Sequence, residues 1–172
     1  MKKISKIFFL LIISLFFLTG CNEETKFESG TSVDKDSETS NATGTLLCAR
    51  GGKGLNNSTA ELSYEVNYEK GYLTKVHSIE KVTSEDSSVL DQYEDAYKNI
   101  FKAYKNLKYY DNTITREDTT VTSDTTIDYS KVDIKKLEEI EATNQSIIKN
   151  GKVSLKDWLT LASKVGTKCV EK

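Results

Sequence analysis

From Ala60 to Glu69 the chain alternates without a break: Ala60, Leu62, Tyr64, Val66 and Tyr68 are separated by Glu61, Ser63, Glu65, Asn67 and Glu69. Period two predicts a strand with one buried and one wetted face, and such a strand requires a sheet covered on one side. Glu69-Lys70-Gly71 reads as a three-residue hairpin loop, with Gly71 taking the left-handed position. That register sets Tyr68 opposite Tyr72, Tyr64 opposite Val76 and Glu65 opposite Lys75, and it places His77 on the wet face beside Ser63. A two-residue loop would bury Lys75 beside Val66. Ile79 fits the phase poorly and is expected to mark a bulge.

The period changes after Asp86. Val89, Leu90, Tyr93, Ala96, Tyr97, Ile100, Phe101, Tyr104 and Leu107 recur at three- and four-residue spacing, the pattern of one long amphipathic helix. Acids gather near its start and lysines near its end, which suits the helix dipole. The aromatic stripe is expected to be a core face. Tyr110, Asn112 and Ile114 make a weak strand, residues 116–119 a turn, and Val121, Ser123, Thr125, Ile127 and Tyr129 a second strand. Ser130 is placed to cap a short helix with Val132, Ile134, Leu137 and Ile140. Asn150-Gly151 predicts a turn. Ser154 and Asp157 resemble a capping box opening a last helix that carries Leu155, Trp158, Leu159, Ala162 and Val165 and stops near Gly166.

Ahead of these elements, residues 45–50 read as a first strand and residues 51–54 as a flexible loop. Gly51-Gly52-Lys53-Gly54 is not a phosphate-binding loop, because that motif needs a longer spacing and a following helix. Hairpins with one long helix and two short ones define an α+β fold: a mainly antiparallel sheet with the long helix packed on one face. From Cys48 to Lys172 there are 125 residues, enough for a self-supporting core.

The N-terminus has a different character. Lys2, Lys3 and Lys6 precede an apolar run from Ile7 to Leu18, interrupted only by Ser14. That is signal-peptide length and too short to span a bilayer comfortably. Leu18-Thr19-Gly20-Cys21 resembles the lipobox of bacterial lipoproteins. The resemblance implies cleavage after residue 20 and a diacylglyceryl group on the Cys21 sulfur. Each buried methylene contributes roughly 0.8 kcal/mol, so two or more acyl chains hold a protein durably where one would not.

Residues 22–45 are rich in Glu, Ser, Thr, Asp and Asn, with Phe27 and Val33 as the large apolar residues. Such a segment is expected to serve as a flexible tether with a reach of about 25–30 Å. The expected division is thus a signal at 1–20, lipidated Cys21 and tether at 21–45, and one extracytoplasmic domain at 46–172. Loss of three lysines with the signal takes the formal charge from −2 to −5. That balance argues against nucleic acid as a partner and predicts repulsion from an anionic lipid surface.

The lipobox cysteine, Lys70-Gly71-Tyr72-Leu73-Thr74, Tyr104-Lys105-Asn106-Leu107, Val132-Asp133-Ile134-Lys135-Lys136-Leu137, and Val153-Ser154-Leu155-Lys156 with Gly166 together carry a resemblance to the YehR-like family of small bacterial lipoproteins. It implies a lipid-anchored extracytoplasmic α+β domain on the outer face of the cell membrane, and it implies no activity. Cys48 and Cys169 lie outside that pattern.

Chemistry is sparse. Cys48 and Cys169 sit near the two ends of the domain, where a disulfide is the expected state in an oxidising compartment. Two separate thiols or a metal pair are the competing readings, the latter without a supporting Cys-x-x-Cys or nearby histidines. His77, the single histidine, would have to serve any Cys–His or Ser–His dyad, and no nucleophile signature accompanies it. Glu61, Glu65 and Glu69 line one strand face and are expected to be solvated. The sequence therefore points to a lipid-anchored binding or scaffolding domain with an envelope protein or cell-wall partner, and to no catalytic, metal or cofactor residues. The alternatives are an envelope enzyme or a solute-binding accessory of a transporter.

Overall fold

The computed structural model describes residues 42–141 and 147–172. The signal, Cys21 and the tether up to residue 41 lie outside the described residues. Among the described residues eight strands and three α-helices follow in the order β1 (Thr43–Lys53), β2 (Thr59–Glu69), β3 (Tyr72–Thr83), α1 (Ser87–Phe101), β4 (Tyr110–Glu117), β5 (Thr120–Asp128), α2 (Ile134–Ile140), β6 (Ile148–Lys149), β7 (Lys152–Val153), α3 (Leu155–Lys164) and β8 (Lys168–Glu171). Six strands form one sheet in the order β4-β5-β3-β2-β1-β8, antiparallel throughout, and β6 and β7 form a small ribbon. The fold is α+β, as the periodicities require.

Register explains the layers. Leu46, Val66, Val76 and Ile127 stand side by side across four strands, as do Gly52, Ala60, Val82 and Val121. These residues face the helices. Val89, Leu90, Tyr93, Tyr97 and Phe101 of α1 are buried over this face, and Trp158 of α3 meets Tyr64 edge-on with ring centroids 5.4 Å apart. The odd-numbered residues of β2, from Glu61 to Glu69, point to the opposite, wetted face.

Several local expectations are corrected. The β2–β3 loop has two residues, not three: Lys70 and Gly71 both adopt positive φ, at 51° and 78°, the conformation of a tight hairpin turn. Lys75 nevertheless stays out of the core, because the register slips between Asn67 and Tyr68, pairing Asn67 with Lys75 and Tyr68 with Leu73. Thr74 is the extra residue. Val66 therefore opposes Val76, and Glu65 opposes His77. Ile79 marks no bulge; it pairs regularly with Ser63 on the wet face.

Strand β1 runs from Thr43 to Lys53, so it includes the last three residues assigned to the tether and three of the four assigned to a loop. Gly51, Gly52 and Lys53 continue the ladder opposite Glu61, Ala60 and Thr59. Asp133, not Ser130, caps α2, its carboxylate accepting from the N–H groups of Lys135 and Lys136. Ser130 instead donates to the Asp128 carboxylate. Ser154 caps α3 as expected, accepting from the Asp157 N–H. Strand β8 was not foreseen.

Candidate functional site

Cys48 and Cys169 are bonded to each other. They are directly opposed residues of β1 and β8, with Cα atoms 4.0 Å apart, and they join positions 121 residues apart in sequence. Pairing of opposed side chains in an antiparallel ladder brings two Cβ atoms within disulfide reach.

This bond separates the cysteine from the histidine. Cys48 faces the core, whereas His77 lies on the wet face, where its Nε2 is 2.9 Å from Asp124 Oδ1 on β5. A Cys48–His77 dyad is therefore excluded by geometry. The three glutamates of β2 also lie on the wet face, each beside a cation or opposite one. Glu61 opposes Lys81, Glu65 accepts from Lys172 Nζ at 2.8 Å, and Glu69 pairs with Lys70 at 3.3 Å. The Lys172 ammonium holds the Glu65 carboxyl below its ordinary range. Among the described residues no group of three or more His, Cys, Asp or Glu side chains is arranged to hold a metal ion.

No described helix covers the wet face. Over β1, β2 and β3 it bears a concavity of about 440 Å³. Ala49 and Ser63 contribute small side chains there, Gly51 contributes bare main chain, and Glu61, Ile79 and Lys81 contribute large side chains. Ile79 is 37% exposed. An apolar side chain beside two opposite charges and a stretch of nearly bare main chain can accept a polar partner segment through both hydrogen bonds and packing.

The buried polar residues were missed by sequence reasoning. Arg50, Leu62, Glu80 and Ser123 stand in one row across β1, β2, β3 and β5, facing inward. Burial raises the Glu80 carboxyl to about 7, with Arg50 pulling it back down. Arg50 also donates to the Val165 carbonyl at 3.3 Å, at the end of α3. The Tyr97 hydroxyl lies beside Glu80, yet neither that hydroxyl nor Glu80 Oε2 closes a well-formed hydrogen bond with a described residue. At the other end of α1, Tyr104 donates to Glu141 Oε1 at 2.8 Å, and burial raises that carboxyl to about 9. The parity of Arg50 and Glu80 with Cys48 and Val82 was the available signal. Glu80 and Glu141 are enclosed by core residues and line no part of the concavity, although Arg50 does.

No family model matches the chain, and no curated protein matches it significantly. Among solved structures it is similar to the E. coli YehR protein, determined by NMR, at 19% identity. That match covers 76% of this chain and 93% of the other, with a TM-score of 0.49. It is also similar to the NMR structure of a protein from Streptococcus pneumoniae TIGR4 at 15% identity, over 89% of this chain and 98% of the other, with a TM-score of 0.47. Neither likeness carries an activity, a ligand or an anchor across to this chain.

Proposed function

We propose that the protein is a lipid-anchored, extracytoplasmic binding or scaffolding domain of a bacterial cell envelope, with the wet face of its sheet as the partner surface. The reading is carried by Leu18-Thr19-Gly20-Cys21, where an apolar run of signal length ends in a cysteine followed at once by a polar segment. The Cys48–Cys169 bond supports an oxidising address, since such crosslinks persist outside the cytosol. The uncovered concavity between Glu61, Ile79 and Lys81 supports binding there rather than internal catalysis.

Metabolic labelling with a palmitate analogue tests the anchor. Label is expected on the wild type, and Cys21→Ala is expected to lose it and leave the membrane fraction. Retention of label in Cys21→Ala overturns the address. Crosslinking on intact cells then tests the surface. Ile79→Asp, which leaves the core untouched, is expected to reduce the captured species several-fold; unchanged capture rejects the wet face as the partner site.

A further inference from the structure

Strand direction sorts the described residues between two ends of the sheet. Ala42 leads into β1 and accepts the Lys70 N–H, and the Lys172 N–H donates to Thr45 at the same end. The start of α3 and the approach to α2 lie there as well, because Leu155 N–H donates to Gly71 and Ser130 N–H to Thr74. The end of α1 and the start of β4 complete this end. The opposite end carries the β1–β2 loop, the approach to α1 and the β4–β5 turn.

Charge is divided unequally between them. Lys70, Lys105, Lys108, Lys135, Lys136 and Lys152 are exposed at the Ala42 end, whereas Glu85, Asp86, Glu117 and Asp118 crowd the other. Of those six lysines only Lys70 forms an ion pair among the described residues, with Glu69. The same end carries the acids Glu69, Asp111, Asp128, Asp133, Glu138, Glu139 and Glu171, which are outnumbered once Lys75, Lys102, Lys131, Lys149 and Lys172 are added to its lysines. Tyr109 is also at the Ala42 end. At 53% it is the most exposed large hydrophobic side chain among the described residues. The Lys131 ammonium lies 5.8 Å from its ring centre. An amphipathic ring set among lysines is the side-chain chemistry of a headgroup-level contact.

We propose that the Ala42 end of the domain is a membrane-docking surface that takes anionic phospholipid headgroups on its lysines, with Tyr109 seated among them. The proposal rests on the lipid-anchor reading, because the chain from Cys21 enters the domain at this end and so keeps it within reach of the bilayer. Of the mature formal charge of −5, residues 22–41 carry −4 and residues 42–172 carry −1, so the domain itself is nearly neutral and most of its own acids lie away from the Ala42 end. Electrostatic reach in physiological salt is about 8 Å, whereas the 11-residue β1 separates the two ends by roughly 35 Å at about 3.3 Å per residue. The acids of the far end are thereby screened at the contacting end, which leaves residues 22–41 as the competing negative charge, and the test separates the two.

The test uses the full-length gene product, purified from host membranes. It is reconstituted into vesicles of phosphatidylcholine alone or with a minority of phosphatidylglycerol. Lysines are acylated with a water-soluble ester and read by mass spectrometry. Lys105, Lys108, Lys135, Lys136 and Lys152 are expected to label several-fold more slowly on the anionic vesicles, with Lys53, Lys81 and Lys164 unchanged and the difference abolished by high salt. Equal rates on both vesicles overturn the proposal. So does slow labelling on both, which would assign cover to the acidic segment before Ala42. Anchoring is read separately, from acyl mass on Cys21 and flotation with phosphatidylcholine. A protein without acyl chains that still shows anionic protection removes the anchor and leaves the docking surface standing.

Discussion

Glu80 and Glu141 are carboxyls enclosed by core, and their titration is tied to folding. Both are raised by burial above the ordinary glutamate value, to about 7 and about 9. Each holds its proton in the folded state at a pH where the unfolded chain has already released it. Their contribution to stability is full below about pH 4.5 and is lost as pH rises, through about 7 for Glu80 and about 9 for Glu141. Unfolding free energies from urea titrations at pH 5 to pH 9 are expected to fall by an amount on the order of a few kcal/mol. Glu141→Gln, which keeps an acceptor for Tyr104, is expected to flatten the upper part of that curve, and an unchanged slope would refute the assignment. Glu80 was legible in principle, since it shares the parity of Val76 and Val82. Glu141 falls in the spacing of Ile134 and Leu137, but a charged residue just past the end of a short helix gives no sequence sign of burial.

At the scale of elements, strong periods were readable and short or compensated ones were not. The alternation of β2 and the three-four spacing of α1 each repeat many times, so the covered face of both followed from sequence. The β2–β3 turn failed because two departures cancel. A two-residue turn shifts the phase by one, and the extra Thr74 shifts it back, so Lys75 stays wet by either route. Strand β8 has four residues, too few to show a period, and its place in the sheet comes from the bond at Cys169 and pairing with β1. The cap of α2 was misplaced by three residues because Ser130 and Asp133 are both good capping types. Asp133→Ala is expected to cost about 1 kcal/mol in thermal or chemical unfolding, and Ser130→Ala less. The reverse order would restore Ser130 as the cap.

At the scale of the whole molecule, the first and last strands are adjacent in the sheet and covalently joined. Closing a loop of 121 residues is worth about 4–5 kcal/mol on the chain-entropy account. The Cys48→Ala, Cys169→Ala double variant is accordingly expected to unfold at markedly lower urea than the wild type under oxidising conditions. Adding reductant to the wild type should bring the two together; coincident oxidised midpoints would contradict this. The pairing was legible as two cysteines at the domain ends, but their direct opposition depended on the unseen β8. The same bond matters when the molecule is pulled. Tension on the chain ahead of Ala42 loads β1 from Thr43 inward, and peeling can free Thr43 to Leu47 by breaking hydrogen bonds and drawing Leu46 out of the core, with no covalent bond in the way. At Cys48 the load meets a covalent junction and divides between two chain paths, one onward along β1 and one through Cys169 into β8. The domain therefore has a built-in stop about five residues from its leading edge, and a tug that unravels the rim leaves the wet face of β2 and β3 in place.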